Sequence, residues 1–233
     1  MATPNETKGT ILDDPDAIVD TTFDKTEDFF RKYKKVITVV LGIALLIVAG
    51  YFSYKYYNKQ QNEEAQNEMY QAVYYFEADS LDKALKGSGK DLGLLDISEE
   101  YARTDAGNLA NFYVGVTYLK KGKFEDAIEY LKKFSSDDLL LQARAYCLLG
   151  DAYLEQKDID EAITYYNKAA DYYPNEYFTP RYLMKAALAY ELNKDYEAAA
   201  KAYDKIIEKY YKSLEANDAK KYKARAEELA EAK

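Results

Sequence analysis

The chain contains no histidine, and that absence removes most of the chemistry a protein of this size commonly carries. Without imidazole there is no ordinary general base near neutral pH, no serine or cysteine triad of the usual kind, and no common zinc ligand set. There is one cysteine, Cys147, so no internal disulfide forms. It sits mid-helix among Tyr146, Leu148 and Leu149, a packing environment rather than that of a nucleophile. Adjacent carboxylates occur at Glu99 and Glu100 and at Asp137 and Asp138, but neighbours on a helix point apart. The glycines Gly87 and Gly89 are too closely spaced for a phosphate loop and follow no strand. A net charge of −9 argues against nucleic acid as a partner. These absences lead to the expectation of a non-enzyme with no cofactor and no metal.

Helix breakers are also scarce: 4 Pro and 10 Gly among 233 residues, with 31% charged residues, suit long helices with solvated faces. No stretch alternates as a strand does. The 26 tyrosines are bulky enough to fill gaps between helices while keeping a polar tip at the surface.

One pattern recurs. A small residue is followed three positions later by tyrosine, and nine positions after that by alanine. The copies are Gly115, Tyr118, Ala127; Gly150, Tyr153, Ala162; and Ala187, Tyr190, Ala199, with an earlier one at Ala72, Tyr75, Ala84. Successive copies lie 43, 35 and 37 residues apart. Only small side chains let two helix axes cross closely, so the small residue and the alanine mark facing positions on a helix pair. Glycine inside a helix costs about 1 kcal/mol relative to alanine, which points to tight crossings at Gly115 and Gly150. Turn residues stand in register between the helices, at Lys121 to Lys123, Gln156 to Asp158 and Asn193 to Asp195. Gly122 suits a helix stop, and Asp158 and Asp195 suit helix caps. This spacing and composition resemble the tetratricopeptide repeat, most strongly from Asn108 to Tyr211.

The resemblance implies an all-α fold, a right-handed superhelix of helix hairpins. Repeats are expected near 65–107, 108–142, 143–179 and 180–213, with a capping helix over 214–233. It also implies a concave binding face on the first helix of each pair. The positions three before and one after the small residue then point inward: Phe112 and Val116, Cys147 and Asp151, Met184 and Leu188. Leu109, Leu119 and Leu154 flank them, with Arg144, Glu155, Arg181 and Glu191 around. A subgroup of the family holds a C-terminal carboxylate with lysine and asparagine here; Phe112, Cys147 and Met184 do not support that clamp. An apolar groove takes the hydrophobic face of a partner helix or an unfolded segment. Alternatively, the helix from Glu68 to Phe76 fills the groove itself.

The second strong feature runs from Val36 to Tyr54, 19 uncharged residues. As a helix it spans about 28 Å at about 1.5 Å per residue, matching a hydrocarbon core of about 30 Å. Arg31, Lys32, Lys34 and Lys35 precede it and Lys55 and Lys59 follow, so the N-terminus is expected in the cytoplasm. Tyr33, Tyr51, Tyr54, Tyr56 and Tyr57 fall where an interfacial belt would lie. A cleaved signal peptide is disfavoured by the 35 residues ahead of the run and the lack of a small-residue cleavage site. A buried core helix would need a partner surface. The remaining parts are an acidic disordered tail over 1–22, a basic juxtamembrane helix over 23–35 capped near Thr21, and a stalk over 55–64.

The arrangement of short tail, single span and outward repeat domain resembles bacterial membrane-anchored tetratricopeptide proteins of the kind ancillary to the Sec translocon. That implies an inner-membrane protein with its repeat domain in the periplasm or otherwise outside the cytoplasm. Its implied partners are the translocon, exported chains and periplasmic chaperones, besides the lipid bilayer around 36–54. A structural scaffold, or a homo-oligomer stacking its solenoid ends, is the alternative.

Overall fold

A computed structural model describes residues 15–232, with side-chain surroundings from residue 29 onward. Among the described residues the chain is helical and has no named strand. The helices are α1 (Pro15–Glu77), α2 (Leu81–Lys86), α3 (Leu94–Glu100), α4 (Asp105–Lys120) and α5 (Phe124–Lys133). They continue with α6 (Leu139–Glu155), α7 (Ile159–Tyr172), α8 (Thr179–Leu192), α9 (Tyr196–Lys209) and α10 (Ala216–Glu231). The chain divides into two compact units, 1–57 and 58–233.

Of the acidic tail expected over 1–22, residues 1–14 lie outside the described residues and 15–22 belong to the helix α1. The backbone is helical from Pro15, so a helix start near Thr21 is overtaken by α1. From Phe29 on, α1 is long and apolar enough to cross a membrane. Its apolar side chains are exposed around the helix, Val39, Leu45, Leu46 and Phe52 among them. A helix that is apolar on every side has no single face to bury against a partner.

In the second unit the end of α1 is the first helix of the first repeat. Its Ala65, Met69 and Ala72 are buried in one cluster with Leu85, Leu94, Ile97 and Val114. The helix from Glu68 to Phe76 therefore packs within the stack and does not fill a groove. The expected stalk is helical throughout, and within it the Asn62 side chain already accepts from the Ala106 amide at 2.9 Å, capping α4. The partner helix of this repeat is broken in two, α2 and α3. Between them the chain turns at Gly87, whose φ of +74° and closeness to the Asp91 carbonyl leave no room for a Cβ.

The following pairs are α4 with α5, α6 with α7 and α8 with α9, each packed on the next, and α10 closes the end against α9. All four hairpin turns share one geometry. The residue at positive φ is Asp79, Gly122, Lys157 or Lys194. Two residues' worth of backbone then folds back, so that the amides of Ser80, Lys123, Asp158 and Asp195 donate to the carbonyls of Tyr75, Tyr118, Tyr153 and Tyr190 at 2.8–3.0 Å. This bond, from an amide to the carbonyl five residues earlier, satisfies a carbonyl the helix end would leave open. Asp158 and Asp195 accept from Glu161 and Ala198 amides and cap α7 and α9.

The helix crossings explain the small residues. A Cβ on Gly115 would lie 2.6 Å from Leu131, and one on Gly150 would lie 2.6 Å from the Tyr166 ring. The facing Ala127, Ala162 and Ala199 are fully buried. Interiors packed to crystal-like density have no slack for an added methyl at such a contact. Tyrosines fill the wider gaps: Tyr153 stacks on Tyr165 with ring centres 5.4 Å apart, and Tyr118 leans on Tyr130 at 5.8 Å.

Candidate interaction surface

The first helices of the last three pairs, α4, α6 and α8, come together around one open cavity of about 720 Å³. Leu119 contributes from α4, Asp151 and Leu154 from α6, and Lys185 and Leu188 from α8. Periodicity puts these residues there: Asp151 and Leu188 each follow the small residue of their helix, one step around from the buried crossing. Leu188 is 40% exposed, so this rim is open to a ligand.

A charged cluster forms part of the cavity's lining. Asp151 accepts from the Tyr166 hydroxyl at 2.7 Å and from the Lys185 ammonium at 2.5 Å. Burial first, then the Asp151 charge beside it, pushes the Tyr166 phenol far above its usual range, so it stays a neutral donor. Glu191 shows the same scheme one repeat later, accepting from the Tyr203 hydroxyl at 3.0 Å and from Arg225 of α10. In both cases the tyrosine belongs to the carboxylate's own repeat and the cation lies 34 residues downstream. Asp151 thus ties one repeat to the next, and Glu191 ties the last repeat to the closing helix α10.

The other expected groove residues are spread differently. Phe112 and Cys147 are buried, each 6% exposed. Phe112 packs on Phe134, 5.2 Å between ring centres, and Cys147 lies in the cluster of Tyr182 and Leu183. They belong to the packing between repeats and not to a groove. Their position, one turn before the small residue, turns toward the neighbouring pair. Val116 and Met184 are half-buried against these same clusters. Leu109 lines a separate apolar cavity of about 480 Å³ between α1 and α4, with Met69, Val73 and Tyr113. Arg144 is exposed; Arg181 lies 3.6 Å from Glu215 at the far end of the repeat stack. Lys185 and the hydroxyl of Tyr166 were not singled out by the sequence pattern. The signal that finds them is the opposite charge at a 34-residue separation, seen three times, at Asp151–Lys185, Asp171–Lys205 and Glu191–Arg225.

Cys147 is no reactive thiol. Burial, with the Asp151 charge added, pushes it up to about 12. Among the described residues no group of acidic or cysteine side chains is placed to hold a metal.

Three tetratricopeptide-type family models match: a tetratricopeptide repeat-like domain over 27–139, overlapping a tetratricopeptide repeat over 115–177, and a further repeat over 181–213. The chain is a tetratricopeptide repeat protein. The solved structure of MamA superposes with a TM-score of 0.52 at 23% identity, covering 72% of this chain and 93% of that one. The nearly identical TPR-like repeats of a putative kinesin light chain from Podosopora anserina give 0.54 at 14% identity, over 74% and 89%. At these identities the likeness shows the fold, an all-α tetratricopeptide solenoid. A comparison with curated proteins finds no match. A tetratricopeptide chain of this kind is a protein–protein interaction module.

Proposed function

We propose that this tetratricopeptide protein is anchored in a membrane by residues 36–54 and holds protein clients on the inner face of its repeats. The observation that carries the binding site is the cavity lined by Leu119, Leu154 and Leu188 together with the Asp151–Lys185 pair. Apolar side chains beside one fixed ion pair suit an amphipathic helix or an unfolded segment that brings both apolar and polar groups. Anchoring is supported by the exposed apolar course of α1. The denser cations ahead of the stretch favour a cytoplasmic N-terminus and a periplasmic or extracytoplasmic repeat unit in a bacterial inner membrane. Exported chains beside the Sec translocon, handed on to periplasmic chaperones, are the clients that fit this placement. The test is co-purification from native membranes with Leu188→Glu and Leu154→Glu. Loss of translocon subunits and exported chains, with an unchanged melt, is expected; undiminished recovery overturns the reading.

A scaffold or homo-oligomer is favoured by a different observation. Tyr70 and Tyr74 are exposed on α1 beside the apolar cavity at Leu109. On that reading one fixed partner, or a second copy, is retained by Leu188→Glu and lost with Tyr70→Glu.

A further inference from the structure

We propose that the edge of the repeat unit formed by the connections between successive helix pairs lies on the surface of an anionic lipid bilayer, with Tyr177, Phe178, Tyr211 and Leu214 as the groups that enter it. Antiparallel helix pairs have two edges. One carries the tight turns at Asp79, Gly122, Lys157 and Lys194. The other carries the longer connections 101–104, 134–138, 173–178 and 210–215. These connections form one continuous margin. Asn62 bonds to Ala106, Asn108 bonds to Ser135 in both directions, and residues 176–181 share a cleft with 209–215.

The two edges differ in surface chemistry. On the connection edge Tyr177 is 83% exposed, Tyr211 66% and Leu214 90%. Phe178 and Tyr173 are exposed beside them. Among the described residues of the tight turns and the helix-terminal residues next to them, Leu192 is the large apolar residue left exposed. Leaving Leu214 so exposed contributes little to folding, because its side chain removes little surface from solvent. The cleft holding these groups carries three cations, Arg181, Lys209 and Lys212, to two carboxylates, Glu176 and Glu215. It is therefore locally positive on a chain whose net charge is −9. Aromatic rings with polar tips, an aliphatic anchor and flanking lysines are the combination that partitions into an anionic headgroup layer.

Chain connectivity favours lipid over another partner. The repeat unit begins at Asn58, four residues after Tyr54, the end of the apolar stretch. Four residues reach at most about 14 Å even fully extended, at about 3.6 Å per residue. Residues 58–62 stand at the connection edge, as the Asn62–Ala106 bond places them. The inference rests on the reading of 36–54 as a span for this proximity, and on the exposed side chains alone for its chemistry.

The test uses the full chain in a Cys147→Ala background, reconstituted into vesicles of phosphatidylcholine and phosphatidylglycerol containing lipid spin-labelled near the headgroup or along the chain. An environment-sensitive dye is placed singly through Leu214→Cys, Leu192→Cys or Leu45→Cys. Severalfold stronger headgroup-label quenching at 214 than at 192 is expected, with chain-label quenching at 45. Quenching at 45 with equal, weak signals at 214 and 192 overturns the proposal and leaves the anchor standing. Quenching at 214 without any at 45 supports the proposal and removes the anchor. A dye at 214 that is shielded in native membranes yet unquenched by lipid means that a protein covers the patch, and overturns it.

Discussion

Asp151 and Lys185 stand 34 residues apart in sequence and 2.5 Å apart in space, and Glu191 with Arg225 repeats the relation at the same separation. The first pair spans two neighbouring repeats and the second joins the last repeat to the closing helix α10, so each reports on stacking rather than on one hairpin alone. Removing the carboxylate leaves both the cation and the tyrosine without their shared acceptor, whereas removing the cation leaves the tyrosine–carboxylate bond in place. Asp151→Ala strands the buried Tyr166 hydroxyl and is expected to cost about 1–3 kcal/mol. Lys185→Met removes a partly solvated cation and costs about 0–1 kcal/mol. In a double-mutant cycle followed by urea melts, the two losses add to more than the double variant shows. Strict additivity contradicts a coupled pair.

Gly150 meets the Tyr166 ring where a Cβ would lie only 2.6 Å away, and that ring is buried. Gly150→Leu is expected to overpack the crossing and cost about 1–3 kcal/mol. An unchanged thermal melt contradicts the crossing.

The tight turns differ in how much strain they carry. Gly122 takes its positive φ freely, while Lys157 takes φ of 66° with a side chain attached. A left-handed residue with a Cβ costs about 1–2 kcal/mol, offset in part by glycine's greater loss of freedom on folding. Lys157→Gly therefore raises stability by up to about 1 kcal/mol, and Gly122→Ala lowers it by about 1 kcal/mol. Equal effects of one sign at both sites, measured in urea melts, contradict the shared turn geometry.

Alkaline pH offers an independent check. Burial is the leading cause that pushes the Tyr182 phenol and the Cys147 thiol to about 12 each, from ordinary values of 10.0 and 9.0, and it pushes Tyr166 and Tyr203 upward as well. These acids are neutral in the folded chain and ionise first in the unfolded one. Their contribution to stability is complete below the unfolded-state values and is lost as pH rises toward the folded ones. The Tm is expected to hold from neutral pH to about 9 and to fall from there toward about 12. The folded chain should also resist iodoacetamide at Cys147 and react once unfolded. A flat Tm across the alkaline range, or rapid labelling when folded, contradicts the packing around Cys147.

Much of this fold is legible in the sequence because its causes are local. A close helix crossing demands Gly or Ala at fixed positions, and a left-handed turn followed by a cap demands short polar residues such as Asp158 and Asp195. The interaction surface is less legible because it depends on how one pair leans on the next. Phe112 and Cys147 occupy positions that face either an inner groove or the neighbouring repeat, and the structure turns them to the neighbour. Asp151 and Lys185 are visible as single charges, but their meeting requires two repeats in register. The exposed Tyr177 and Leu214 lie in connections without periodicity, so nothing in the pattern of apolar residues separates them from core positions.

The central claim is that clients sit on the inner face at the cavity shared by α4, α6 and α8. A photo-crosslinking residue in place of Leu188, in the full chain in native membranes, tests it most directly, with the same probe at Lys201 of α9 as the comparison. Adducts to translocon subunits or exported chains at 188 and none at 201 are what this account predicts. Adducts at 201 alone, or at neither position, would contradict it and place the function on another face.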